Sequence, residues 1–250
     1  MNKIVVVDCD GTTLNKNEKI SKFTYETLKE VSKTNTLIVA TGRNLEGVKF
    51  AYNGFELIGD FIIACDGALV YDLKNNKTIY ANKIAKSSIL SIIKILNKYS
   101  LTRIDIFLGA GYNKIVEDKV VLLNEDDAIK LEVYFENFED LKCAQKEINV
   151  LDNLSAHAQS VSISNVVWLT IINKNNSKGS ALMWLANRFG FNFKDSICFA
   201  DAGNDISMFK LCNKRIAVAN AIDDIKKLAT DITLSCNDDG VAHYLKTHIL

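Results

Sequence analysis

Two aspartates one residue apart, Asp8 and Asp10, follow the apolar run Ile4-Val5-Val6-Val7 and lead into Gly11-Thr12-Thr13. The run is short and β-branched, which predicts a buried strand. Gly11 lets the chain turn sharply off its end. Carboxylates held this close repel each other, so a metal ion, a shared proton or both must compensate them. Taken alone, the stretch also fits an Asp-rich turn with no chemistry, or the Asp-x-Asp of a metal-dependent glycosyltransferase.

Other polar groups fall at comparable places. Thr41-Gly42-Arg43 ends a predicted strand over 36–41, Ser177-Lys178-Gly179 opens a predicted helix that runs to Phe189, and Asp201 to Asp205 follows a predicted strand over 196–200. In a doubly wound sheet, ligands bind at the carboxyl ends of the strands where strand order reverses. Such a sheet can bring these groups together.

The spacing of apolar residues supplies that sheet. Helices are predicted over 21–33 and 44–52, a strand over 61–65 and a hairpin over 69–79 turning at Asn75-Asn76. Strands alternating with helices argue for a parallel sheet covered on its faces. After Ala81 the rhythm changes, with helices over 87–99 and 138–147 and strands over 103–108, 130–135 and 161–172. The first rhythm returns near Asn175, with strands over 215–219 and 231–234 and helices around Met208, over 223–228 and over 239–247. The expected architecture is α/β: a Rossmann-like doubly wound core from residues 1–81 and 175–250, interrupted by an α+β cap over 82–174.

Composition narrows the function. The 250 residues carry 30 basic and 30 acidic side chains, without the basic excess of a nucleic-acid binder. No apolar run approaches the roughly 18 residues of a membrane helix. The N-terminus enters the first strand with no secretory leader pattern. The six cysteines show no Cys-x-x-Cys spacing and read as free thiols of a reducing compartment, so a cytoplasmic protein is expected. Oligomeric state leaves no mark on the sequence.

Together the motifs resemble the haloacid dehalogenase superfamily, specifically its Cof-type phosphatases with a large class 2 cap. Asp8-Cys9-Asp10-Gly11-Thr12 matches the first motif, Thr41-Gly42-Arg43 the second, Ser177-Lys178-Gly179 the third and Ala200-Asp201-Ala202-Gly203-Asn204-Asp205 the fourth. Ile206 to Phe209, Ala217 to Ala221 and Asp239 to Ala242 also look like that subgroup. The resemblance covers the split core, and the cap shares position and length. Two departures stand out: Asp66-Gly67-Ala68 lies where such members usually have Asn-Gly-Ala, and Ala200 replaces a glycine.

The resemblance implies a Mg²⁺-dependent phosphatase acting on a small phosphorylated metabolite. Asp8 would attack phosphorus and Asp10 would act as acid, then base. Asp8, Asp10 through its carbonyl, and Asp201 would hold Mg²⁺, with Asp205 orienting a metal-bound water. Thr41, Asn204 and the amides of Cys9 and Gly42 would bind phosphate, and Lys178 would add charge there. Arg43 fits a phosphate contact or a surface ion pair. His157, His243 and His248 match no motif. The cap would read the rest of the substrate. A phosphomutase is the nearest rival, but the cap segment holds Arg103 as its single arginine for a second phosphate. A dehalogenase would have no need of Asp10, a glycosyltransferase leaves Thr41, Gly42 and Lys178 unexplained, and a non-catalytic phosphometabolite sensor would tolerate loss of Asp8 or Asp10.

Overall fold

The computed structural model describes residues 3–109, 112–116, 128–160 and 167–250. They divide into two compact units, one built from residues 1–80 and 177–250 and the other from residues 81–176.

The first unit is organised on a sheet of β1 (Ile4–Asp8), β2 (Thr36–Ala40), β3 (Phe61–Ala64), β4 (Leu69–Asp72), β5 (Lys77–Ala81), β11 (Ser196–Ala200), β12 (Lys214–Val218) and β13 (Asp231–Thr233). The strand order is β13-β12-β11-β1-β2-β3-β4-β5. Pairing is parallel from β13 to β3, while β4 runs antiparallel to β3. Strands β1 and β11 are buried along their whole length, as expected of central parallel strands with both faces covered. The chain leaves β1 toward β2 on one side and returns through β11 on the other, so strand order reverses at β1. Asp8 is the last residue of β1, at that reversal.

The helices of this unit are α1 (Lys22–Val31), α2 (Leu45–Ala51), α5 (Lys178–Phe189), α6 (Ile206–Phe209), α7 (Asp223–Leu228) and α8 (Gly240–His248). Local chemistry sets their starts. Ser21 Oγ accepts from the Thr24 amide and Asn44 Oδ1 from the Gly47 amide, capping α1 and α2. At α5 the Ser177 and Ser180 hydroxyls each accept from the other's amide, and left-handed Gly190 closes its end. That box fixes the first turn of α5, where Lys178 sits.

The second unit carries a five-stranded sheet ordered β7-β6-β8-β10-β9, from β6 (Leu101–Leu108), β7 (Tyr112–Val116), β8 (Ala128–Phe135), β9 (Leu154–Ser160) and β10 (Val167–Asn173). Every pairing recorded in it is antiparallel. One face packs on α3 (Lys86–Leu96) and α4 (Phe138–Asn149). Ile89, Ile92, Leu96, Leu141, Ala144 and Ile148 meet Ile104, Ile106, Leu131, Val133, Leu169 and Ile171 in a single core.

Most expected elements appear within a few residues of their predicted ends. The strand expected over 161–172 is described from Val167 to Asn173, and residues 161–166 lie outside the described residues. β7 and β9 were not anticipated. The inward residues of β9 include Ala156 beside Leu154, a weak β signal because alanine offers little surface to pack. All six cysteines are free and all but Cys143 are buried.

Candidate active site

Four of the expected residues meet at the carboxyl ends of β1 and β11. Lys178 Nζ donates to Asp8 Oδ1 at 2.6 Å and to Asp205 Oδ1 at 2.6 Å. All three side chains are almost completely shut off from solvent. The other oxygen of Asp205 accepts from the amides of Asp201 and Ala202 at 3.2 and 3.1 Å. Asp205 is therefore fully committed: it anchors the lysine and shapes the turn that follows β11.

Asp201 is held by Thr12, whose Oγ1 donates to Asp201 Oδ1 at 2.8 Å. Oxygens of the Asp8 and Asp201 carboxyls come within 4.8 Å of each other. Two ionised carboxylates this close repel unless a proton or a cation offsets them. Gly11, at φ +77°, makes the approach possible, since a Cβ there would stand 2.4 Å from Asp201 Oδ2. Thr13 Oγ1 donates to the Asp8 carbonyl, and the amides of Thr12, Thr13 and Leu14 converge on the Cys9 carbonyl, fixing the turn.

The electrostatics follow from this crowding. Burial, and then the negative charge of Asp205, push the Asp8 carboxyl well above the usual carboxylate range, and Lys178 only partly offsets them. Asp201 is pushed up to about 6, first by burial and then by Asp205. Burial opposes charge on Lys178, but Asp205, Asp8 and Asp66 outweigh it and raise its pKa, so the ammonium stays charged. Burial, then Asp8, pushes the Cys9 thiol far up, so it stays a neutral packing group.

One lysine thus serves a cluster of carboxylates. Asp8, Asp201 and Asp205 offer oxygens that all lie within 4.8 Å of one another. An all-oxygen, strongly anionic set in which Asp8 and Asp201 are pushed toward neutrality, first by burial and then by the charge of Asp205, fits a hard divalent cation.

The remaining expected residues are placed differently. The Asp10 carboxylate is about half exposed and is held by Arg43, whose Nε donates to both of its oxygens at 3.0 and 2.8 Å. Arg43 Nη2 bridges onward from Asp10 Oδ1, 2.6 Å, to Glu18 Oε2, 2.7 Å. Arg43 thus forms the ion pair considered for it. Thr41 is fully buried, and its Oγ1 accepts from the Arg43 amide at 3.1 Å. Asn204 Nδ2 donates to Asp66 Oδ1 at 3.2 Å. Asp66 sits in a left-handed conformation between Cys65 and Gly67, which also have positive φ. A Cβ on Gly42 would stand 3.0 Å from the same Asp66 oxygen. Asp66 therefore lies among the expected phosphate-binding groups rather than outside them. His157 lies in β9, and His243 and His248 lie in α8, as parts of the fold.

Sequence reading missed Glu18, Thr12 as the partner of Asp201, and Asn220, whose amide donates to the Gly11 carbonyl at 2.7 Å. Thr12 and Asn220 fall inside the quoted motifs, so a signal existed for them. Glu18 carries none.

The family profile of haloacid dehalogenase-like hydrolases matches residues 5–245, and the chain belongs to that family. Within it, the chain is a phosphatase of the Cof type, a phosphoric monoester hydrolase. It is 27% identical to the 5-amino-6-(5-phospho-D-ribitylamino)uracil phosphatase YwtE of Bacillus subtilis, over 97% of this chain and 96% of that one. Among solved structures it resembles TM0651 from Thermotoga maritima, with a TM-score of 0.83, 23% identity and coverage of 100% and 98%. It also resembles the subclass IIB sugar phosphatase BT4131, with a TM-score of 0.76, 19% identity and 98% coverage of each chain. Among the described residues, no helix is long and apolar enough to cross a membrane.

Proposed function

We propose that this chain is a Mg²⁺-dependent phosphatase that hydrolyses small-molecule phosphomonoesters through an aspartyl-phosphate on Asp8. The observation that carries this reading is the convergence of Asp8, Asp201, Asp205 and Lys178 at the strand-order reversal, with the one ammonium bound to two of the three clustered carboxylates. The names of the relatives support a small phosphorylated metabolite as substrate: one acts on a ribityl phosphate carrying a uracil, another on sugar phosphates.

Asp8, Asp201 and the Asp10 carbonyl would hold Mg²⁺, with Asp205 behind them as the group that fixes Lys178 and the β11 turn. A bound Mg²⁺ supplies the positive charge that offsets repulsion between the phosphate dianion and Asp8.

The protein's own groups account for the rest. An Asp8 oxygen forms a bond to phosphorus as the bond to the ester oxygen breaks. Asp10 gives the departing alcohol its proton, then takes one from the water that attacks the phospho-aspartate. To reach the ester, Asp10 must release Arg43, and Glu18 keeps that guanidinium paired when it does. Lys178 stays charged beside Asp8 and offsets the negative charge that accumulates in transfer. Thr41 and the amides of Cys9 and Gly42 donate to phosphate oxygens. Asn204 does so after turning from Asp66.

The test is hydrolysis of p-nitrophenyl phosphate. EDTA should stop it and Mg²⁺ should restore it. Full activity after rigorous chelation would overturn the metal requirement.

A further inference from the structure

An open cleft of about 560 Å³ lies in the first unit, at the amino ends of β11 and β12. Asp8 stands at the carboxyl end of β1, which runs parallel to β11, so the cleft is at the other end of the sheet from the carboxylate cluster. Three stretches enclose it: the second half of α5, the link from α5 to β11, and the link from α6 into β12. From Lys178 to Asn187 the axis of α5 rises about 13 Å, which separates the two places.

Hydrogen bonds set the shape of the cleft before any ligand arrives. Asn213 Nδ2 donates to the Lys194 carbonyl at 2.9 Å. Ser196 Oγ joins the two links, donating to the Phe193 carbonyl at 2.6 Å and accepting from the Asn213 amide at 3.0 Å. Arg215 is half-buried and pinned by carbonyls. Its Nε donates to Leu228 at 2.8 Å and its Nη1 to Cys212 at 3.1 Å and Asn213 at 3.4 Å. Nη2 is left over, with its donors available to a further acceptor.

The lining joins unpaired positive charge to open apolar surface. An arginine usually spends its charge on a carboxylate or phosphate. Among the described residues, neither Arg215 nor Lys194 makes an ion pair, and the lining holds no acidic side chain. Met183, Phe191, Phe193 and Leu211 all keep surface open to solvent here. Phe191 is fixed in a ring cluster with Phe61 and Phe189, which makes one wall rigid. Phe193 meets no other ring among the described residues, so its faces are not spent on an aromatic partner. The volume falls in the range of about 300–1,000 Å³ usual for small-molecule sites. A neutral ring would leave both cations unpaired, and a bare inorganic anion would leave the apolar wall wet.

We propose that this cleft binds a small organic monoanion with a flat apolar body, an aryl carboxylate by class. Its carboxylate is held by Arg215 Nη2 and Lys194 Nζ, and its ring lies against Phe193 and Met183. The site is distinct from the phosphatase centre and stands whether or not that reading holds.

Titration calorimetry on the full, metal-free chain tests this. The probe is 2-naphthoate, and 2-naphthamide is its uncharged counterpart of nearly the same shape. Without metal the acidic cluster at Asp8 repels the anionic probe. Naphthoate should bind with a Kd below about 1 mM and about ten-fold or more tightly than the amide. Lys194→Gln and Arg215→Gln should each shrink that ratio several-fold while leaving naphthamide binding unchanged, and Arg215→Lys should preserve most of it. Met183→Trp, which fills the cleft from α5, should weaken both probes. Because Arg215 also ties down three carbonyls, its variants are compared only where circular dichroism matches wild type; Lys194→Gln and Met183→Trp alter partly open side chains and carry the test if they do not. No binding of naphthoate at millimolar concentration, equal affinity for the two probes, or a preference that survives Lys194→Gln overturns the proposal. So does binding that Met183→Trp leaves untouched, which would place the probe elsewhere.

Discussion

Replacing Lys178 with methionine tests whether the buried ammonium holds the site together. Lys178 is 1% exposed and makes 2.6 Å contacts to both Asp8 and Asp205. Methionine keeps most of the volume and removes the charge. Two carboxylates then face each other in a dry pocket with no cation between them. Removing one partner of a buried ion pair costs about 3–5 kcal/mol. At about 2–4 °C per kcal/mol for a chain of this size, the metal-free variant should melt roughly 6–20 °C below the metal-free wild type at pH 8. The gap should narrow in acid. Asp8 already tends toward protonation, and its proton removes the uncompensated charge, so each pH unit recovers at most about 1.4 kcal/mol. Differential scanning fluorimetry from pH 5 to 8 reads both effects. A melting temperature within about 2 °C of wild type at pH 8, less than 1 kcal/mol by the same conversion, would refute the reasoning. A gap that widens in acid would refute it too.

Further outcomes follow from the same geometry. Asp8→Asn should lose at least about 10²-fold in kcat while keeping its fold by circular dichroism, and retention of more than about a tenth of the rate would remove Asp8 as nucleophile. Asp201→Ala should raise the Mg²⁺ concentration needed for half-maximal activity, and an unchanged requirement would take Asp201 out of the metal site. Asp201 near 6 and a raised Asp8 mean that the folded metal-free protein keeps protons the unfolded chain has released. Its stability, measured by urea unfolding, should therefore be greatest in acid and fall as pH rises through about 6, and saturating Mg²⁺ should abolish the fall. Gly67→Ala places a Cβ 2.0 Å from the Ser177 carbonyl at φ +91°, so it should displace the start of α5 and lower both melting temperature and activity, whereas a near-neutral result would contradict the packing described.

What the sequence made legible has a physical pattern. The strand that ends in Asp8 and the helix that opens at Lys178 carry strong local signals, a β-branched buried run and a Ser cap, and both stand where expected. The acidic cluster was readable because its members sit at strand ends that the topology brings together. Contacts without a local signal were not readable. Glu18 reaches Arg43 from a turn where it adopts φ +55°, and nothing in its neighbours marks it as a partner. Asp66 was visible only as an unexpected residue. Its meeting with Asn204 spans 138 residues of chain and depends on a left-handed turn at a residue that is not glycine.

The central claim is that phosphate passes through Asp8, and trapping it there is the most direct test. With p-nitrophenyl phosphate the leaving group needs no acid, so Asp10→Asn should still form the phospho-aspartate but lack the base that clears it. Rapid mixing with Mg²⁺ should give a burst of about one p-nitrophenolate per site followed by slow turnover. Acid-quenched protein should then carry hydroxylamine-labile phosphate on the peptide containing Asp8. Phosphate on another residue, or turnover with neither burst nor labelled Asp8, would contradict the account.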